Sequence, residues 1–268
     1  MSTNIEDIYH NYLTDIQEKR NKQRRDRDEY RTWFGASSAG SCYKKQYYRV
    51  NGYEEKMPNS QSMRNMRVGT IIHDDIAKSV EHHLSKWRKD EFPILVEYEI
   101  TIPTYKVIGH LDIAFFTRED GYTTAHIHDL KTAHSFKWKR MFGIKKNRET
   151  NPSENYELQL ATYAIGLEWF DNEACGVHID LVRMYLDYFK KDNAAIKTVE
   201  ISNDYIHKAT DYWKNLLEEL DGVTSPDDLV PTKDIGVPFY NWECRYCGFL
   251  DICDTPLANK EKKDNGSK

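Results

Sequence analysis

No apolar run in the 268 residues approaches the 18 or so that a bilayer-spanning helix requires, so no such helix is expected. No Gly-x4-Gly-Lys-Ser/Thr segment occurs, which excludes a P-loop motor carried by the chain itself. No internal repeat is present. Charge of neither sign dominates: 38 basic against 43 acidic residues leave a formal net charge of −5. A polyanionic partner would therefore have to be met by a local basic track rather than by a global field. The opening Met-Ser-Thr-Asn-Ile-Glu-Asp is polar and acidic and has no apolar core of a signal peptide. A cytoplasmic protein is expected, with its cysteines reduced and available as ligands rather than paired as disulfides. The length suits one domain, or one domain with appendages. The 18 tyrosines and six tryptophans read as core or as groove walls.

Against these absences stand two acidic positions and a lysine. Asp112 lies in the apolar-rich run Lys-Val-Ile-Gly-His-Leu-Asp-Ile-Ala-Phe-Phe, and Asp129 and Lys131 lie in Tyr-Thr-Thr-Ala-His-Ile-His-Asp-Leu-Lys-Thr. Side chains alternate along a strand, so Asp129 and Lys131 share a face. A hairpin through Thr117–Tyr122 would bring Asp112 beside them. Taken alone, the three could be solvent-facing charges on an edge strand. They are embedded among Ile108, Leu111, Ile113, Phe115 and Ile127, however, where a charge is costly unless it is paired or metal-bound. Two carboxylates at one point can hold a hard divalent ion. A lysine beside them can orient water and offset charge on a phosphoryl group, the minimal apparatus for phosphodiester cleavage.

The five cysteines give a second pattern. Cys244, Cys247 and Cys253 form C-x2-C-x5-C, and Cys42 lies about 200 residues upstream beside Lys44 and Lys45. Four thiolates can share one metal centre if the fold closes Cys42 onto the trio. Scattered structural cysteines or a zinc site are the alternatives, although structural zinc more often uses two close pairs.

The ordered series Cys42, Gly69-x3-His73, Gly109-x2-Asp112, Asp129-x-Lys131, Gln159-x3-Tyr163, Cys244, Cys247, Cys253 resembles the PD-(D/E)XK nucleases, in their RecB-like iron–sulfur branch. That branch includes the AddB nuclease domain and CRISPR-associated RecB-like exonucleases. The resemblance covers residues 35–255; Asp129 stands where many relatives have glutamate. It implies a restriction-endonuclease-like α/β core of order α-β-β-β-α-β with a mixed sheet. It also implies Mg²⁺ or Mn²⁺ held by His73, Asp112, Asp129 and the Leu130 backbone carbonyl, with Lys131 positioning the attacking water. Gln159 and Tyr163, one helical turn apart, would orient substrate or Lys131; a plain helix flank is the other reading. Cys42, Cys244, Cys247 and Cys253 would bind a [4Fe–4S] cluster that staples the N- and C-terminal parts together. Cys175 has no counterpart and reads as a buried residue. His126 and His128 face away from Asp129 and are left out of the site.

The expected activity is that of a metal-dependent DNA exonuclease on single-stranded ends, in recombination, repair or phage DNA processing. A DNA-binding scaffold of a helicase or integration complex, or an endonuclease or flap nuclease, are the rivals. Between the acidic strands and the next helix, Lys137, Lys139, Arg140, Lys145 and Lys146 interleave with aromatics and read either as a single-strand track or as a solvated basic loop. The expected elements are helices at 5–33, 61–88, 153–170 and 203–221, and strands at 94–102, 106–117, 122–132, 177–186 and 196–201. Ile5, Ile8, Tyr9, Tyr12, Leu13 and Ile16 form one side of the first helix. Its charged second half reads as a solvated face or as a DNA- or partner-contacting arm. Val68, Ile71, Ile72, Ile76, Val80 and Leu84 mark the buried side of the second helix. The expected division is a helical arm at 1–34, a nuclease domain at 35–258 and a disordered tail at 259–268.

Overall fold

The computed structural model describes residues 4–26, 30, 32–87, 92–143, 154–170, 178–229 and 243–266. Along the described chain run α1 (Ile5–Arg25), β1 (Phe34–Gly35), α2 (Tyr43–Val50), α3 (Ser60–Trp87), β2 (Ile94–Ile102), β3 (Val107–Glu119) and β4 (Tyr122–Ala133). There follow α4 (Ser135–Phe142), α5 (Glu154–Phe170), β5 (Leu181–Lys190), β6 (Ile196–Ile201), α6 (Asp204–Leu220) and α7 (Pro256–Gly266). The run α3-β2-β3-β4-α5-β5 has the expected order. The sheet is mixed, with strand order β1-β3-β4-β5-β6 and β2 also paired to β3. Strands β4 and β5 are parallel, while the β2–β3, β3–β4 and β5–β6 pairs are antiparallel.

A two-residue turn sets the central register. Asp120 and Gly121 both take positive φ, 51° and 86°, as a type I′ hairpin requires, and Asp-Gly adopts that conformation at little cost. Glu119 thereby pairs with Tyr122, and the ladder runs back to Ile113 opposite His128. Strand β5 then starts at Leu181, four residues later than expected. Asp180 pins that start, because its N–H donates to the Thr123 carbonyl at 2.9 Å and its carboxylate accepts the Thr123 N–H at 2.7 Å.

The chain divides into two compact units. One comprises Gly35–Gly40 and Ile71–Asn215 and contains the sheet. One sheet face, lined by Ala114, Phe116, Ala125, Ile127, Met184 and Leu186, is buried. Helix α5 is buried along Leu158–Leu167 and packs on β2, β4, β5 and the turn at 36–38. Trp213 of α6 donates its indole N–H to Thr162 of α5 at 2.9 Å. The other unit comprises Met1–Phe34, Ser41–Thr70 and Leu216–Lys268. Its core is Tyr47, Tyr48, Leu229 and Phe249.

Several expectations are corrected. The N- and C-terminal segments share a compact unit with residues 41–70, where Phe249 packs on the α2 tyrosines. Residues 259–266 are helical; Thr255 Oγ1 accepts the Ala258 N–H at 3.3 Å and Ala258 is buried. Helix α1 ends at Arg25. Of its apolar side, Leu13 is buried, while Ile5, Ile8 and Tyr12 are exposed. In α3 the buried residues are Met63 and Ala77, and Val68 and Ile71 are exposed. Helices α2 and α4 were not expected. Cys175, Lys145 and Lys146 lie outside the described residues.

The close approach of α5 to β2 depends on Gly166, since a Cβ there would overlap Ile100 Cγ2. Gly166→Ala gains about 1 kcal/mol of helix propensity but overpacks the core by about 1–3 kcal/mol. Urea unfolding should show a net loss of stability, and Ile100→Ala in the same chain should relieve the clash, so that the two changes are strongly non-additive. Additive effects would show that the helix does not lie this close.

Candidate active site

The hairpin register, carried one step beyond its last pair, sets Asp112 opposite Asp129. The backbone ladder stops there. Freed from it, the Leu130 N–H donates to Asp112 Oδ2 at 2.6 Å. On the other side of β3 the ladder skips one pair and resumes. Val96 pairs with Ile113 and Tyr98 with Leu111, so Glu97 falls opposite Asp112. Glu97 has φ 49°, a left-handed conformation that is uncommon for glutamate. Directly opposed residues of antiparallel strands share a face. Glu97, Asp112 and Asp129 therefore form a row of carboxylates across β2, β3 and β4.

Asp129 is fully buried, and Lys131 Nζ lies 2.5 Å from its Oδ2. That contact is a close ion pair rather than an aligned hydrogen bond. Gln159 Nε2 donates to Asp129 Oδ1 at 3.3 Å and to the Tyr163 hydroxyl at 2.8 Å. Burial pushes the Asp129 carboxyl up to about 7, opposed by Lys131 and aided by Asp112. Lys131 is partly buried, which favours its neutral form, but Asp129 and Asp112 outweigh that desolvation and raise its pKa. Tyr163 is held well above its ordinary range by burial and then by the two aspartates. Its ring has room because residue 109 is glycine: a Cβ there would meet Ala36 Cβ at 2.6 Å and Tyr163 Cε1 at 3.0 Å.

On the β2 side, His73 of α3 reaches the row. Its Nε2 lies 2.9 Å from Asp112 Oδ2, and its Nδ1 lies 3.0 Å from Glu97 Oε1. Contact with Asp112 raises the His73 pKa against burial. Ligand atoms of His73, Glu97 and Asp112 all lie within 4.8 Å of one another, the one such group among the described residues. Imidazole and carboxylate donors at this spacing suit a divalent ion of the Mg²⁺ or Mn²⁺ type. Asp129 is outside that trio, its carboxylate engaged by Lys131 and Gln159.

Two residues absent from the sequence reading of the catalytic set emerge. Glu97 carries no local signal, since its place depends on cross-strand register. Tyr156 lies one turn before Gln159 on α5, and its hydroxyl accepts a hydrogen bond from Lys137 Nζ at 2.8 Å. Lys137 and Lys131 stand 4.0 and 5.1 Å from the centre of its ring. Burial would raise the Tyr156 pKa, but the two lysines hold it below the ordinary value. The i, i+3 spacing from Gln159 was the available clue. Lys137 is thus tied to α5, whereas Lys139, Arg140 and Phe136 on α4 are exposed.

The four patterned cysteines lie within the other unit, none of them in a disulfide. Cys42 is the N-cap of α2. Burial pushes the Cys244 thiol up to about 12, with Cys42, Cys247 and Cys253 adding to the rise. No three of them come within 4.8 Å of each other.

Similar proteins were found at the level of family and fold. No curated protein sequence matches the chain. In structure, the chain is similar to SSO0001, at 16% identity and a TM-score of 0.45, over 92% of this chain and 96% of that one. It is also similar to a protein from Eubacterium rectale to which exonuclease activity has been ascribed, at 10% identity and a TM-score of 0.41, over 71% and 82% of the two chains. The sequence profile of the PD-(D/E)XK nuclease superfamily matches residues 7–254, a span that takes in His73, both aspartates, Lys131 and all four patterned cysteines. On that match the chain belongs to the PD-(D/E)XK nuclease superfamily.

Proposed function

We propose that the protein is a divalent-metal-dependent deoxyribonuclease that removes nucleotides from single-stranded DNA ends. The observation that carries this reading is the convergence of Asp112, Asp129 and Lys131, with His73 at Asp112, where the β3–β4 ladder ends and the β2–β3 ladder skips one pair. His73, Asp112, Asp129 and the Leu130 carbonyl would hold Mg²⁺ or Mn²⁺, which when bound would supply Lewis-acid charge to the phosphoryl group and lower the pKa of water. Lys131 places a water for attack and offsets charge on the phosphoryl oxygens. Asp129 keeps Lys131 charged and in place. Gln159 fixes the Asp129 carboxylate, and Tyr163 fixes Gln159. Tyr156 and Lys137 flank Lys131, so the exposed Lys139, Arg140 and Phe136 continue a basic and aromatic track leading away from the metal.

The same reading assigns a [4Fe–4S] cluster to Cys42, Cys244, Cys247 and Cys253, within the RecB-like branch. A single tetrahedral zinc at about 2.3 Å from each sulfur would hold the sulfurs roughly 3.8 Å apart. Sulfurs spread more widely than that suit a cluster better. Lys45 lies near Cys247 and Lys44 follows Cys42, both favourable to thiolate ligands. The cluster's role is to tie the segment after Cys42 to the C-terminal segment, in a protein acting in DNA recombination, repair or phage DNA processing, with a helicase or recombination protein as partner.

End-labelled linear and closed circular DNA, each with Mn²⁺, Mg²⁺ or chelator, should show metal-dependent loss of nucleotides from the linear single strand only. Asp129→Asn and Lys131→Ala should each reduce the rate by at least about 10²-fold, the scale of losing one positioned catalytic group. Binding without cleavage by the wild-type protein would turn the reading to a scaffold, and nicking of the circle would turn it to an endonuclease.

Protein purified without oxygen should be yellow-brown and contain about four irons and four sulfides per chain. Cys247→Ser should lose the colour and Cys175→Ser should keep it. Stoichiometric zinc in place of iron would refute the cluster.

Asp129 also makes metal-free stability pH-dependent. Its folded pKa of about 7 lies above the ordinary 3.8, so the folded state binds the proton more tightly than the unfolded state. Its stabilising effect is complete below the unfolded value and is lost as pH rises through the folded one. Thermal melts in chelator from pH 4 to 8 should show wild type losing stability over this window relative to Asp129→Asn. Parallel curves for the two proteins would show that Asp129 does not bind this proton.

A further inference from the structure

We propose that Glu97 is a direct ligand of the divalent ion, completing with His73 and Asp112 a donor set on the β2 side of the carboxylate row. The inference rests on the nuclease reading for the presence of the ion and extends it to a residue that the Asp–Asp–Lys pattern does not include.

Three observations lead there. First, position. Glu97 falls opposite Asp112 in the β2–β3 register and Asp112 opposite Asp129 in the β3–β4 register, so the three side chains start from one row on one face. Second, direction. Glu97 takes a left-handed backbone conformation within β2 while the pairs on either side keep their register, so no residue has been inserted and only this position is re-aimed. A glutamate does not adopt that conformation without compensation. Its carboxylate arrives at His73, with an oxygen within 4.8 Å of ligand atoms of both His73 and Asp112. Third, charge. Asp129 already has Lys131 as its counter-ion at 2.5 Å. Asp112 and Glu97 have no lysine or arginine ion pair among the described residues, and their shared contact is an imidazole. Like charges directly opposed across strands destabilise a sheet. One divalent cation between these two carboxylates and the imidazole brings the row to neutrality.

With Glu97 as a ligand, two carboxylates and an imidazole hold the ion from one side. The ion should therefore bind before DNA does. Asp129 remains both a ligand in the proposed set and the counter-ion of Lys131.

The test is Mn²⁺ binding without DNA, read by electron paramagnetic resonance of the free ion and by the metal-induced rise in melting temperature. Wild type, Glu97→Gln, Glu97→Gly and Asp112→Asn are compared. Glutamine keeps the size and a hydrogen-bond acceptor for His73 Nδ1 but loses the charge. Glycine suits a positive φ, so the strand survives even where the glutamine variant folds poorly. Losing a partner one shell out from a metal already costs about 10–100-fold in affinity, so both Glu97 variants should bind Mn²⁺ at least ~10-fold more weakly. Glu97→Gly should also melt higher than wild type in chelator, because strain and like-charge repulsion are both gone. Wild-type affinity in both Glu97 variants, with loss in Asp112→Asn, would overturn the proposal and leave the nuclease reading intact. Wild-type affinity in Glu97→Gln with loss in Glu97→Gly would also overturn it, making Glu97 a positioning residue that acts through His73. No Mn²⁺ binding by the wild-type protein would overturn both.

Discussion

The structure turns on a repulsion. Three carboxylates sit side by side on neighbouring strands, with one lysine among them. Two unit charges about 5 Å apart at an effective dielectric near 20 repel by roughly 3 kcal/mol. That is a sizeable part of the roughly 5–15 kcal/mol by which a domain is stable. The surroundings are arranged around this cost. Both ladders flanking Asp112 open at the level of the row, and the Leu130 N–H turns from the ladder to Asp112. Lys131 is partly buried against Asp129 and kept charged by it. What remains unbalanced is on the Glu97 side, where the ion-pair partner found among the described residues is the His73 imidazole. A site that is short of positive charge in this way is prepared for a cation.

How much of this the sequence displays depends on the range of the interaction. Asp112, Asp129 and Lys131 are legible because strand alternation and a tight Asp-Gly turn are local. Two residues of turn fix the register of the whole hairpin, and with it the facing of the two aspartates. Gln159 and Tyr163 are legible for a similar reason, since i and i+4 share a helix face. Glu97 is not. Its role depends on register with a strand ten residues away and on a backbone conformation that glutamate does not advertise. The start of β5 is illegible from hydrophobicity, because the run of apolar residues begins earlier and only the Asp180–Thr123 exchange decides where pairing starts. Helix α4 was hidden by its charge: Phe136, Lys137, Lys139 and Arg140 suggest a loop until Trp138 and Phe142 are seen packed against each other, with Phe142 on Tyr188.

The cysteine pattern shows the opposite balance. Spacing makes the trio obvious, yet the packing that brings Cys42 to it is long-range and was inferred only from resemblance. In the structure that closure has its own apolar support. Tyr48 stacks at a tilt on Phe249, which lies between Cys247 and Cys253 in sequence, and the two cysteines pack on the same cluster. The Lys56 N–H donates to the Gly248 carbonyl at 3.0 Å, and a side chain at 248 would strike Glu55. Lys44, buried beside Cys42 in sequence, is held by Asp254 next to Cys253 at 2.5 Å. Each link joins the segment after Cys42 to the C-terminal segment through protein atoms, and a cluster bound there would add to these links.

Helix α5 supplies the rigidity that the row itself lacks. It is buried along most of its length, and its few polar side chains do not break that burial at random. Tyr156, Gln159 and Tyr163 recur at i, i+3 and i+7, one face, and each meets the acidic site or its lysines. Thr162 points elsewhere, to Trp213 of α6, and so anchors the helix from behind. Glycine appears at both close approaches, Gly166 under Ile100 and Gly109 beside Tyr163. These contacts leave α5 little freedom to slide or rotate on the sheet. Reactive side chains are held best when their supports belong to packed elements rather than loops. A 3.3 Å hydrogen bond from Gln159 would orient Asp129 loosely if its helix could shift. Locked between Ile100 and Trp213, the same bond defines where the carboxylate points, and through the ion pair where Lys131 points.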